Sequence, residues 1–149
     1  MAVFNGLEDE IGPVSRWVCM LLLVISPLGI LWGGIFTMDH LALHLDGTQA
    51  AFTTPVITLP IVGFVLRRAP RWRTFGTWML LGGPLTLALL IGFINSVPAA
   101  ELRSGAAAGG GSFGLWQRAL GIEVFTWFVV MGWLAFTRSG RLDRVHSHA

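Results

Sequence analysis

Two histidines four residues apart, His40 and His44, stand between Asp39 and Asp46 in the run M-D-H-L-A-L-H-L-D-G. On a continuous helix this i,i+4 spacing puts both imidazoles on one face, where they can share a metal ion with Asp39 or Asp46. The competing reading is a pair of interfacial histidines flanking Leu41–Leu43 on a short amphipathic helix. No third strong ligand is fixed by the spacing, so no metal and no other cofactor is assigned. Haem held between helices is less favoured still, because both histidines come from one helix end.

Glu123 is the second informative residue, because it lies inside the apolar run Ala119–Thr137. A carboxylate at the centre of a bilayer costs about 2.5–3.5 kcal/mol, less near an interface, so such a residue is usually partnered or functional. Arg118 precedes it by five residues and is poorly aligned with it along one helix; Arg103 or a histidine of the first loop are alternatives. A Glu123 that snorkels outward is the bland alternative. Asp39, His44 and Glu123 are therefore the acid/base candidates, with Arg118 available to hold an anionic group. His40, Asp46 and Asn95 join Arg118 as binding candidates, although Asn95 reads first as a helix-end cap. His146 and His148 form a terminal H-x-H that reads as an idle tail, and Cys19 reads as a small buried apolar residue.

Several chemistries are excluded outright. A single cysteine allows no intramolecular disulfide and no C-x-x-C pair. The ten basic residues are all arginine, so Schiff-base chemistry is absent, and with no tyrosine there is no phenolic acid.

The elements that position these residues follow from hydropathy. Mean hydropathy is +0.69 and 12% of residues are charged, too apolar for a soluble domain of this size. A membrane-crossing helix needs about 20 mostly apolar residues. Four segments meet or approach that length: 14–37, 48–66, 77–97 and 119–137. The expected fold is all-α, a polytopic four-transmembrane-helix bundle over residues 14–138, with tails at 1–13 and 139–149. The second span is the least defined, because Pro55 and Pro60 interrupt it. Were it to begin at Thr54, with Pro55 in the tolerated first turn, it would cover only about 20 Å. Pro27 sits in the first span, followed by Gly29 and Gly33, whose small-xxx-small spacing allows another helix to approach. The tail after Thr137 is polar and expected to be disordered.

Charge placement sets the orientation. Arg16, Arg67, Arg68, Arg71, Arg73, Arg138, Arg141 and Arg144 lie on one side of the spans, Arg103 and Arg118 on the other. Retention of basic residues on the inner face predicts cytoplasmic N- and C-termini and an inner Arg67–Arg73 turn. The basicity thus belongs to topology and anionic lipids, not to nucleic acid. Glu8, Asp9 and Glu10 stand where a signal peptide would be basic, so the first span reads as retained. On this topology Asp39, His40, His44, Asp46, Asn95, Arg118 and Glu123 all gather at the outer interface or within about two turns of it.

Gly34-Ile-Phe-Thr-Met-Asp39, then His44 and Phe52-Thr-Thr-Pro55, resembles the G-x-F-x-x-D…H…F-x-x-x-P pattern of a bacterial membrane family, domain-of-unknown-function family 998. Gly114-Leu-Trp-Gln-Arg118, followed by Trp127 and Leu134-Ala135, is similar to that family's closing helix. The resemblance spans roughly residues 29–138. It implies a helical bundle of a bacterial inner membrane with Asp39, His44 and Arg118 grouped outside. Family members usually carry about six helices, and the proline usual beside the aspartate is missing here. The resemblance implies no activity, since fold and function are separable.

Three functions are compatible with these residues. The favoured one is a non-catalytic subunit or scaffold whose partners are the lipid bilayer and other membrane proteins or further copies of itself. The alternatives are an enzyme acting on a lipid or isoprenoid at the outer leaflet, and a transporter or channel subunit. The apolar inner half weighs against a transport pathway.

Overall fold

A computed structural model describes residues 11–96, 101 and 112–146, with side chains set aside at 135 and 138–146. Residues 1–10, 97–100, 102–111 (Arg103 among them) and 147–149 (with His148) lie outside the described residues. Among those described, the chain forms four α-helices: α1 (Pro13–Ile35), α2 (Leu41–Leu66), α3 (Arg73–Asn95) and α4 (Phe113–His146). Single 3-10 turns, Met38–His40 and Pro70–Trp72, join the first three. The protein is an all-helical bundle. The segments Pro13–Ile35, Met38–Leu66 and Pro70–Asn95 are each long and apolar enough to cross a membrane.

Successive helices run antiparallel, and glycines set how close they come. A Cβ on Gly29 would lie 2.6 Å from the Ala51 amide nitrogen, and one on Gly47 would lie 2.6 Å from that of Gly33. The α1 and α2 backbones therefore touch, and the Gly29/Gly33 spacing is the crossing itself. The α2–α3 pair repeats the device farther in, where a Cβ on Gly63 would meet the Gly76 carbonyl at 2.7 Å. α2 is the central helix: 39% of its most apolar window is buried, against 22% for α1 and for α3.

Three expectations need correction. The second helix does not start at Thr48 or Thr54; it runs unbroken for 26 residues through both Pro55 and Pro60. At 1.5 Å per residue it is about 39 Å long. The expected outer loop Met38–Gly47 shrinks accordingly, because Leu41 onward is helix. The expected disordered tail after Thr137 is also helical as far as His146. Adding residues to an existing helix is far easier than nucleating one, and arginine and leucine favour it.

How α2 tolerates its prolines is visible at Pro55. Lacking an N–H, Pro55 leaves the Ala51 carbonyl without its helical donor. The Ser26 hydroxyl of α1 donates to that carbonyl at 2.8 Å, in a buried position. The first helix thus repairs the second at the site of its defect. Below this level, Cys19, Leu59, Val62, Leu66, Trp72, Phe75, Met79 and Met131 form one core drawn from all four helices and the Pro70–Trp72 turn.

If Ser26 has this role, its value depends on Pro55. Ser26→Ala should destabilise the bundle by about 1–2 kcal/mol, within the range for a carbonyl left unpaired. In a Pro55→Ala background, where the helical N–H returns, the same change should cost nearly nothing. A double-mutant cycle read by unfolding in detergent measures the coupling. Equal Ser26→Ala costs in both backgrounds would refute the assignment.

Candidate functional site

At the tip of the α1–α2 hairpin, the sequence-selected residues serve the local backbone. α1 ends at Ile35, and Phe36 is extended with φ −93° and ψ 97°. A helix end leaves carbonyls without donors. His44, projecting from the first turn of α2, fills that need: its Nδ1 lies 2.8 Å from the Gly33 carbonyl and 3.0 Å from that of Phe36. Both partners can only accept, so Nδ1 carries the proton. His44 is a cap for α1.

His40 does not share a helical face with His44. It precedes α2 with φ −118° and ψ 59°, outside helical geometry, and it is exposed. Its ring packs edge-on to Phe36 at 6.3 Å, and Phe36 in turn lies 4.7 Å from Trp32. Asp39 accepts from the Thr37 hydroxyl at 3.1 Å within its own turn. Asp46 is exposed on α2 and lines a shallow groove with Trp32 and Gly29. Among the described residues, no group of three His, Cys, Asp or Glu side chains converges on a metal position.

Glu123 lies elsewhere. It sits on α4 facing α3, and the Thr86 hydroxyl is 2.9 and 3.0 Å from its two carboxyl oxygens. The indole N–H of Trp127, one turn along α4, donates to Oε1 at 2.6 Å. Thr86 is also within 2.9 Å of the Gly82 carbonyl. Its single proton is therefore shared among three acceptors. Counting 1.5 Å per residue, Thr86 lies about 14 Å from the Asn95 end of α3 and about 20 Å from the Arg73 end. Glu123 is thus deep between the helices, not snorkelled to one end.

Glycines frame this contact. A Cβ on Gly82 would lie 2.7 Å from the Trp127 ring, and one on Gly92 would lie 2.5 Å from the Trp116 ring. Two α4 tryptophans therefore seat in notches of α3, above and below the Glu123–Thr86 pair. Phe93 and Phe113 continue the seam with centroids 5.0 Å apart.

The two regions are not one site. Among the described residues no hydrogen bond or ion pair joins Glu123 or Arg118 to Asp39, His40, His44 or Asp46. Phe52 of α2 packs beside Phe93 near the end of α3. His44 lies about 12 Å beyond that level and Glu123 about 10 Å within it. The acid/base trio Asp39, His44 and Glu123 is accordingly divided between a hairpin tip and the bundle interior. Arg118 is exposed on α4, five residues before Glu123, as its spacing suggested. Asn95 is exposed, and the capping expected of it is done by Ser96, whose amide and hydroxyl both reach the Phe93 carbonyl at 3.2 and 2.7 Å. Cys19 is fully buried.

Sequence reading gave no hydrogen-bonding role to Ser26, Thr86 or Trp127. Trp127 was findable, since its i,i+4 position from Glu123 brings a donor within reach of the carboxyl group. Comparison with known proteins gives no match: no family model, no curated protein and no solved structure is significantly similar to this chain. The resemblance to domain-of-unknown-function family 998 therefore stands on its motifs alone.

The Glu123 contacts give a graded expectation. Glu123→Gln retains an acceptor for Trp127 and gains a donor for Thr86, so the fold should keep nearly its full stability. Glu123→Ala should lose about 1–2 kcal/mol, as interhelical hydrogen bonds in bilayers do at the upper end of their range. Unfolding in detergent micelles checks the order. If both variants lost the same amount, the hydrogen bonds would not be what Glu123 contributes.

Proposed function

We propose that this chain is a four-span protein of a bacterial cell membrane, with both termini cytoplasmic, acting as a non-catalytic subunit or scaffold. The observation that carries the reading is the engagement of its polar side chains. His44 caps a helix, Ser26 repairs a carbonyl, and Glu123 ties α4 to α3. An enzyme needs an acid and a base free to reach one substrate. Here the two best candidates are bonded within the fold and lie far apart. A transport pathway would need polar groups in series, and the inner half of the bundle is a packed apolar core.

The fourth span is supported by α4 itself. It is 34 residues long, and its stretch 119–137 holds one ionisable residue, Glu123, whose neutral partners lie inside the bundle. Orientation is supported by the arginine bias alone.

Two measurements test this reading. Thiol labelling from either side of the membrane should modify an Arg68→Cys variant only from the cytoplasm and a Thr37→Cys variant only from outside. Buried Cys19 supplies a silent background. Reversed labelling would overturn the topology. In a deletion strain, Asp39→Ala and Asp46→Ala should complement fully, while His44→Ala should fail only to the extent that folded protein is lost. A well-folded Asp39→Ala protein that fails to complement would overturn the non-catalytic assignment.

A further inference from the structure

We propose that Glu123 is a proton-binding site: at neutral pH its side chain carries a proton and donates it to Thr86. This rests on the membrane reading above. The Thr86 hydroxyl oxygen lies 2.9 and 3.0 Å from the two carboxyl oxygens and 2.9 Å from the Gly82 carbonyl. With Glu123 ionised, the one hydroxyl proton must serve both the carboxylate and Gly82. One of those oxygen pairs then meets lone pair to lone pair. A proton on Glu123 removes the conflict. Oε2 donates to the Thr86 oxygen at 3.0 Å, and the Thr86 O–H donates to the Gly82 carbonyl. Oε1 is left to accept from the Trp127 indole N–H at 2.6 Å. The donors then run one way, from α4 into the backbone of α3.

No cation supports the charged form among the described residues. Glu123 makes no ion pair there, and its side-chain partners are a hydroxyl and an indole, both neutral. The charged or titratable groups of the other helices stand at their ends, apart from buried Cys19. On α3 there is Arg73 alone, about 20 Å along the helix from Thr86. On α2 there are His44 and Asp46, both near the hairpin tip. On α1 Arg16 lies about 15 Å from Ser26, which lines the same cavity as Trp127. On α4 itself Arg118 is exposed and about 140° around the helix from Glu123, and Arg138 follows only after about 22 Å. Arg103 lies outside the described residues; paired with Glu123, it would hold the carboxyl group ionised.

Water is excluded as well. Thr86, Leu120 and Val124 around the carboxyl group are fully buried or nearly so. Trp127 and Trp116 close the seam on either side, in the notches of Gly82 and Gly92. Glu123 itself is half-buried, and at this depth the part left open faces hydrocarbon. A carboxylate with neither water nor counter-charge is far costlier than the neutral acid. The hydrogen-bond count and the surroundings thus favour the same form.

Infrared spectroscopy of the full chain in phospholipid vesicles at neutral pH tests the site, because a protonated carboxyl group has a C=O stretch distinct from that of a carboxylate. An acid band should be present, should shift with isotope-labelled glutamate and should vanish in Glu123→Gln. Asp39→Asn, Asp46→Asn and Glu101→Gln should leave it in place. Thr86→Val removes the acceptor of the acid proton and should move the band to higher frequency; Thr86→Ser keeps the hydroxyl and should not. The isotope shift and the two Thr86 variants read the site even if Glu123→Gln folds poorly. No acid band at neutral pH, or one that survives Glu123→Gln, would overturn the proposal. So would a band that emerges only in Arg103→Gln, since that arginine would then hold Glu123 ionised. A chain that failed to enter vesicles at all would instead overturn the membrane reading.

Discussion

Every main-chain carbonyl that a proline strips of its donor must find another partner when the surroundings are hydrocarbon, and this chain carries prolines inside three of its helices. Pro27, Pro55, Pro60 and Pro84 all lie within helical segments. Water would repair such defects in a soluble protein; lipid cannot. The repair at Pro55 is explicit, because Ser26 reaches across from α1 to Ala51. At Pro60 the answer is closeness. Gly83 of α3 lies directly against the Pro60 ring, and a Cβ there would be 3.0 Å from the Val56 carbonyl, the one Pro60 deprives. Helix defects and glycine crossings are thus one design: where α2 is imperfect, a neighbour without a side chain comes near enough to cover it.

The same logic explains why polar side chains gather deep in the bundle and not only at its ends. Ser26, Thr58, Thr86, Glu123 and Trp127 are contributed by all four helices at middle depth. Ser26 and Thr86 are nearly sealed and hydrogen-bonded. Thr58 is the exception: its hydroxyl is buried and has no partner, beside an apolar cavity of about 10 Å³ lined also by Ser26 and Trp127. Directional bonds matter here because apolar contact cannot sort helix from lipid tail. Helices in a bilayer are selected by close packing and by polar pairs.

Much of this was legible in the residues, and the failures share one cause. Hydropathy located the helices because a bilayer demands length and apolarity from each segment separately. Pro55 and Pro60 misled the reading of α2, since helix propensity treats proline as a terminator. What overrides that penalty is a hydroxyl 29 residues before Pro55 and a glycine of α3 beside Pro60, and no local window includes either. His40 and His44 looked like a pair because a helix was assumed to continue through them. The break falls between them, at the turn ending with His40, and sends the two rings to different tasks. Glu123 was recognised as a residue needing a partner. That the partner would be Thr86 depended on the register of α3 against α4, which spacing alone does not encode.

That register shows that α4 is attached differently from the rest. The first three helices meet backbone to backbone, at Gly29 with Gly47 and at Gly63 with Gly76, so their contacts depend on what is missing from the chain. The fourth approaches through what it carries: Phe113 against Phe93, Trp116 into Gly92, Glu123 onto Thr86 and Trp127 into Gly82. A large side chain in a notch fixes sliding and rotation together, and the carboxylate bond between the two notches fixes depth. Such a seam concentrates its attachment in a few side chains, whereas backbone contact spreads it along a crossing. The boundary between α3 and α4 is therefore a seam of seated side chains, and Glu123 stands at its centre.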